Sequence, residues 1–370
     1  MGILRESKSS LVLVAVMLVV SLLALASNNS FAFMSPFVTS KRVHFKTLDS
    51  LKNKILDAHG GAATISAKGT PSFSSTATTN EGMYATQDDY GTSYYFRGAV
   101  NDNWVYFAGF YWRIIRINGD GSVRMIYTGQ AAPSASTAIV MTSEITNIAV
   151  QERFAASATP AERVGYMLES GNAHGYANDS YIKQEILDPW YTNNLASYAS
   201  YISDALFCSD RVSYTNTSGT TTGGGTGTTT SYFAPYIRLI TNKAPVLTCS
   251  TTRYDRFTYS DILKGNGALT KKIGLITADE IAMAGGKVST SNTSYYLYTN
   301  QNYWTMSPSH FQSSHAFVFM LNTSGSLLQN RAVTYDLGVR PVINLKGTVA
   351  AMGTGVYNDP YIVENNSSIY

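Results

Sequence analysis

Residues 103–127, NWVYFAGFYWRIIRINGDGSVRMIY, constrain the fold of this chain more than any other stretch. Aromatic and β-branched side chains dominate it and break only at Gly109 and at Asn118-Gly119. Such side chains suit a pleated, half-buried surface, and Asn-Gly supplies the positive-φ residues that tight turns need. The run predicts a hairpin with arms at 112–117 and 122–127. An isolated hairpin is marginal in water, so it must find partners elsewhere in the chain. Candidates are the strand-like residues 92–100 before it and, far downstream, AFVFML (316–321), SLLQN (326–330) and VRPVINL (339–345), with a last hairpin over 348–363. Strands from both ends of the chain would then meet in one sheet.

Helical signals fall elsewhere. Leu48, Leu51, Ile55 and Leu56 recur at helical spacing and Gly60 stops the pattern, which predicts a short amphipathic helix. Residues 70–80 are Ser/Thr-rich and read as a linker, so 33–80 is taken as helix plus linker and 81–370 as the main domain. Thr159-Pro160-Ala161-Glu162 has the form of a capping box and predicts a helix ending at Gly171. A second helix should start near Ser180 and end or kink at Pro189. Thr277-Ala278-Asp279-Glu280 is another capping box, opening a helix to Ala284 before Gly285-Gly286. The class is α+β.

Residues 1–32 are set apart. Arg5 and Lys8 precede an uncharged apolar run, 9–27, with small residues at Ala24-Leu25-Ala26 and Ser30-Phe31-Ala32. This pattern predicts an export signal, or a membrane anchor through 9–27 if it is retained; a prepilin-like leader is a third reading. The destination is extracellular or the cell surface. There Cys208 and Cys249 would pair as a disulfide, the alternative being two buried thiols. The low-complexity TNTSGTTTGGGTGTTTS between them (215–231) reads as mobile and exposed. Charged residues form only 14% of the chain and the formal net charge is +3, so no basic stripe is present for nucleic-acid binding.

Several blocks occur in order: 94–127, WYTNNL (190–195), FCSD (207–210), GNGALTKKIGLITADEIAMAGG (265–286), YWTMSPS (303–309), GVRPVINLKG (338–347) and DPYIV (359–363). Across roughly residues 80–365 the chain resembles a family of surface proteins, of no assigned activity, from Firmicutes and related gut bacteria. More distantly it is similar to the C-type-lectin-like fold of formylglycine-generating enzymes and the Fibrobacter major paralogous domain. That resemblance implies a twisted antiparallel sheet with flanking helices and long loops. The enzyme's chemistry does not carry over, because it needs a close cysteine pair near the C-terminus and no cysteine follows Cys249. The calcium loops of C-type lectins are missing too; Asn101-Asp102-Asn103-Trp104 has their letters reversed and reads as a turn.

Other constellations are weak. Asn118-Gly119-Asp120-Gly121 lacks the acidic ladder of a calcium loop. His310, His315 and Asp336 have no metal-site spacing, so neither metal nor cofactor is expected. Ser307 and Ser309 beside His310 lack a nucleophile elbow. Asp279 and Glu280 have a capping role that competes with acid–base work. Arg340 is expected to anchor loop carbonyls, and Thr277 and Glu280 to hold their helix. The candidate ligand residues are the loop aromatics Tyr296, Tyr298, Tyr303 and Trp304 with Ser307, His310 and His315; Tyr191 and Tyr295 share their surroundings, whereas Trp112, Trp190 and Trp304 itself also read as core. The function these features indicate is binding or adhesion at the cell surface, the ligand a glycan, a cell-wall polymer or a protein. A glycan- or cell-wall-acting enzyme and a pilin-like assembly subunit stand as alternatives.

Overall fold

The computed structural model describes residues 49–250 and 253–363; the export or anchor segment lies outside them. Fourteen strands carry the architecture. They are β1 (Asn80–Asp88), β2 (Gly91–Gly98), β3 (Trp104–Phe107), β4 (Phe110–Ile117), β5 (Val123–Gly129), β6 (Ala149–Glu152) and β7 (Ser213–Tyr214). The rest are β8 (Ser231–Phe233), β9 (Tyr303–Gln312), β10 (His315–Leu321), β11 (Leu327–Ala332), β12 (Leu337–Val339), β13 (Val342–Leu345) and β14 (Tyr361–Ile362). The helices are short: α1 (Leu51–Ala58), α2 (Gly61–Ala67), α3 (Asp188–Asn194) and α4 (Ala278–Ala284).

The fold is α+β, with two seven-stranded mixed sheets in place of the single antiparallel sheet expected. In the first, β4 pairs with β2 and β3 along one edge and with β5 along the other; β1 extends β2, β13 pairs with β5, and β14 runs parallel to β3. Early and late strands therefore do meet. The second sheet runs β7-β8-β9-β10-β11, with β12 parallel to β9 and antiparallel to β6. One hydrophobic cluster takes Trp112 and Ile114 from the first sheet and Trp304, Val318 and Phe319 from the second.

The hairpin forms between β4 and β5, closed by Asn118 N–H to Ser122 O and Gly121 N–H to Asn118 O. The positive φ falls on Gly121, not Gly119. Glycine at 119 answers a different need: a Cβ there would lie 2.5 Å from both Asp88 Oδ1 and the Gly91 nitrogen.

VRPVINL is not one strand. Proline offers no N–H to a ladder, and the chain crosses between sheets at Arg340-Pro341, with β12 in the second and β13 in the first. The 161–164 segment is a single 3₁₀ turn, and Met167–Leu168 is extended, so the helix expected to reach Gly171 does not form. Glu162 does not close a capping box; its carboxylate accepts from Gly171 N–H at 2.7 Å and Gly227 N–H at 3.1 Å. The second contact pins the Thr/Gly excursion, which is exposed along most of its length yet held to this turn. Before Pro189 the chain winds as a π-helix, Ile182–Leu187, and continues as α3, so the proline marks a change of winding and not an end. Helix α4 has the expected Thr277 cap and capping box, and Gly285 follows it in the left-handed region. Nor is 70–80 a free linker: Ser72 O accepts from Arg97, Ser74 O from Lys287, and Ala77 N–H donates to Gly285 O. Helix α1 belongs to the main core, with Leu51 and Ile55 fully buried.

Candidate functional site

Two concavities of opposite character lie in this framework. The first is a polar cavity of about 30 Å³ beneath the Cys208–Cys249 disulfide. That holds water molecules and is far too small for a sugar ring. Its wall is an ion-pair network. Arg116 reaches Asp88 at 2.7 Å and Glu280 at 3.0 Å, and Arg124 reaches the same Glu280 oxygen at 2.5 Å. Arg238 clasps Asp279 through two nitrogens, at 2.9 and 2.8 Å, and also pairs with Asp210. Burial would raise the Glu280 carboxyl, but the guanidinium groups of Arg124 and Arg116 hold it below the usual carboxylate range. The free capacity of these carboxylates goes to backbone amides: Thr277 N–H donates to Glu280, Val246 N–H to Asp279, and Tyr90 and Gly119 N–H to Asp88. Asp279 and Glu280 are thus spent on structure, in line with the capping role read from their spacing.

The second concavity is an open groove of about 500 Å³ beside the hairpin. Phe110 opens β4, Tyr127 sits near the end of β5, and Trp190 projects from α3 one turn before Asn194. Trp190 is half-buried against Phe110, at 5.4 Å between ring centroids, and edge-to-face with Tyr127 at 5.6 Å. Gln130, Asn147 and Asn194 supply carboxamides, and Ala131, Ile145 and Ile148 complete the lining. None of these side chains carries a charge, and burial raises the Tyr127 phenol so that it stays neutral.

The polar capacity of the groove is only partly used. Asn194, a lining residue, donates from Nδ2 to Trp190 O at 2.8 Å. Asn147 is 8% exposed, and neither amide atom has a hydrogen-bond partner among the described residues. It can sit there because residue 338 is glycine; a Cβ at that position would lie 2.3 Å from Asn147 Oδ1. Arg340 steadies the wall. Wholly buried at the sheet crossing, it donates to Tyr127 O at 3.1 and 3.0 Å and to Leu297 O at 3.2 Å, the carbonyl anchoring expected of it.

The groove is not where sequence reasoning placed the ligand. Tyr303 and Trp304 lie in β9, an internal strand, and neither has any exposed surface; the Trp304 indole donates to Glu152 O. They offer no face for stacking. Tyr296 is 2% exposed beside the Arg113 guanidinium, and Tyr295 is fully buried. Ser307 accepts from Ala278 N–H at 2.9 Å, behind the ion-pair cavity. His310 stacks on Phe317 at 4.4 Å, next to Ser309 Oγ, and burial pushes its pKa down to about 4. Tyr298 is half-buried and His315 exposed, bonded to Ser313 O. These residues do not converge on one site. Trp190, read as core, does pack against the main core and, half-buried, also forms the groove wall. The signal that could have found it is local: an aromatic one helical turn before an asparagine in WYTNNL.

Among the described residues no group of three or more His, Cys, Asp or Glu side chains is placed to hold a metal ion, and no helix is long and apolar enough to cross a membrane. The disulfide is the kind of bond that persists in an oxidising compartment. Comparison with protein-family models, with curated proteins and with solved structures finds no match to this chain.

Proposed function

We propose that this protein is an exported cell-surface binding module and that the Phe110–Tyr127–Trp190 groove seats a neutral glycan. One observation carries the reading: the groove joins aromatic rings to the accessible carboxamides of Gln130 and Asn194, with no charge, in a volume suited to one or two sugar rings. Aromatic faces pack against the C–H faces of pyranoses, and amides match hydroxyl groups as donors and acceptors. A charged polymer would find no counter-charge here. The C-type-lectin-like architecture is part of the same proposal, supported by the pairing of β5 with β13 and of β3 with β14, which closes early strands against late ones.

Binding of the purified protein to an array of neutral and acidic glycans and cell-wall fragments tests this. Saturable binding to neutral members is expected, weakened at least tenfold by Trp190→Ala with an unchanged circular dichroism spectrum. Binding to acidic members alone, or a folded Trp190→Ala protein that binds as tightly as the parent, would sink the proposal.

A further inference from the structure

Away from both concavities, the turn after Phe257 holds two aliphatic side chains out in solvent. Leu263 is 92% exposed and its neighbour Ile262 65%. A single exposed leucine needs no explanation, but two adjacent ones at a loop tip that is held this firmly do. Asp204 accepts from the backbone N–H groups of Tyr259, Ser260 and Asp261 at 2.5–2.9 Å. Asp261 accepts from Leu263 and Lys264 N–H at 2.8 and 3.0 Å, and Thr258 Oγ1 donates to Asp261 O at 2.6 Å. The tip is therefore presented in one shape, and little ordering entropy remains to be lost when it meets a surface.

Its surroundings indicate which surface. Tyr254 and Tyr259, 45% and 46% exposed, flank the tip as tyrosines do at the headgroup level of a membrane. Arg253 is exposed nearby and Lys271 lines a shallow depression with Tyr259, whereas the ammonium groups of Lys264 and Lys272 donate to Asp89 O at 3.0 Å and to Ile202 O at 3.1 Å. The acidic groups on this face are Asp204 and Asp261, both engaged by backbone amides. We propose that the Ile262–Leu263 tip inserts into an anionic lipid bilayer, with Tyr254 and Tyr259 at the interface and Arg253 and Lys271 facing the lipid headgroups. A convex aliphatic point flanked by tyrosines and cations fits a deformable bilayer better than a preformed protein pocket. The apolar run at 9–27, if retained, would hold the protein at the same membrane. This surface is separate from the glycan groove, and the two proposals stand or fall independently.

The test uses the full chain carrying Leu263→Trp, a substitution at a solvent-exposed position, with the parent protein as background. Mixed with phosphatidylglycerol vesicles, the new tryptophan should shift to shorter wavelength and be quenched by brominated acyl chains; phosphatidylcholine vesicles should give little of either. Changing Arg253 and Lys271 to Ala should weaken the anionic-vesicle response about fivefold per charge removed. This readout reports the depth of the tip, so an anchored N-terminus does not mimic it. Absence of quenching on both vesicles overturns the proposal, as does dimerisation through the tip without quenching. Equal quenching on neutral and anionic vesicles overturns the anionic headgroup assignment.

Discussion

The ion-pair cavity and the neutral groove lie in one compact unit but differ in how they treat polar groups. In the cavity, arginine, carboxylate and backbone amide close on one another across β2, β4, β5 and α4, so each charge has an opposite charge beside it, though Arg124 Nη1 and Asp210 Oδ1 are left without a hydrogen bond. In the groove, Trp190 and Asn194 are half-buried and Gln130 is exposed, while Phe110, Tyr127 and an unpaired Asn147 lie buried beneath them. A buried charge needs a partner at once, whereas a neutral amide can be left unpaired at smaller cost. Charge density in a concavity is thus a poor guide to function here.

The sharpest way to break this comparison is to strip one charge from the cavity. Glu280→Gln leaves Arg124 buried without its carboxylate, and the expected cost is about 3–5 kcal/mol of unfolding free energy in a urea titration. A loss below about 1 kcal/mol would mean that the network does not hold the fold. Replacing Cys208 and Cys249 together by serine should cost about 4 kcal/mol in the chain-entropy account of a loop spanning 41 residues. The same titration under non-reducing conditions checks it.

The two tryptophans sharpen the contrast further. Trp304→Ala should cost about 3–5 kcal/mol, since it empties a fully buried site, and Trp190→Ala about 1–2 kcal/mol while removing glycan binding. Equal stability losses would return Trp190 to the core.

The smallest effects are those of pH. His310 takes up a proton near 6.5 in the unfolded chain but only near 4 in the fold. The unfolded state binds more protons between these values, so stability should fall as pH drops from about 6.5 to about 4; His59, also lowered by burial, adds in the same direction. Glu280 and Asp255 have folded values below the ordinary carboxylate range, so their contribution is lost at lower pH still. Glycan affinity, measured by titration calorimetry, should stay flat between about pH 5 and 8, because nothing in the groove titrates there. A slope in that range would place an ionisable group in the site.

Much of the fold was legible in the chain. The β4–β5 hairpin, α1, the capped α4 and the meeting of early with late strands follow from local periodicity, turn residues and caps, which depend on neighbours a few positions apart. The failures share a cause. Glu162 has capping-box spacing, but amides from distant loops take its carboxylate. Tyr303 and Trp304 read as loop aromatics, yet β12 and β10 flank them and both are buried.

By itself, then, the sequence determined the α+β class, the main hairpin, the cap of α4 and the presence of two cysteines able to pair. Only the tertiary structure decided that the strands divide between two sheets at Arg340-Pro341, that Trp304 is wholly buried and Trp190 only half-buried, and that Asn147 lies unsatisfied beside Tyr127. Local pattern reports which side chains want burial. Which of them obtain it depends on the strands and loops brought over them from far along the chain, and a groove lies where that cover stops short.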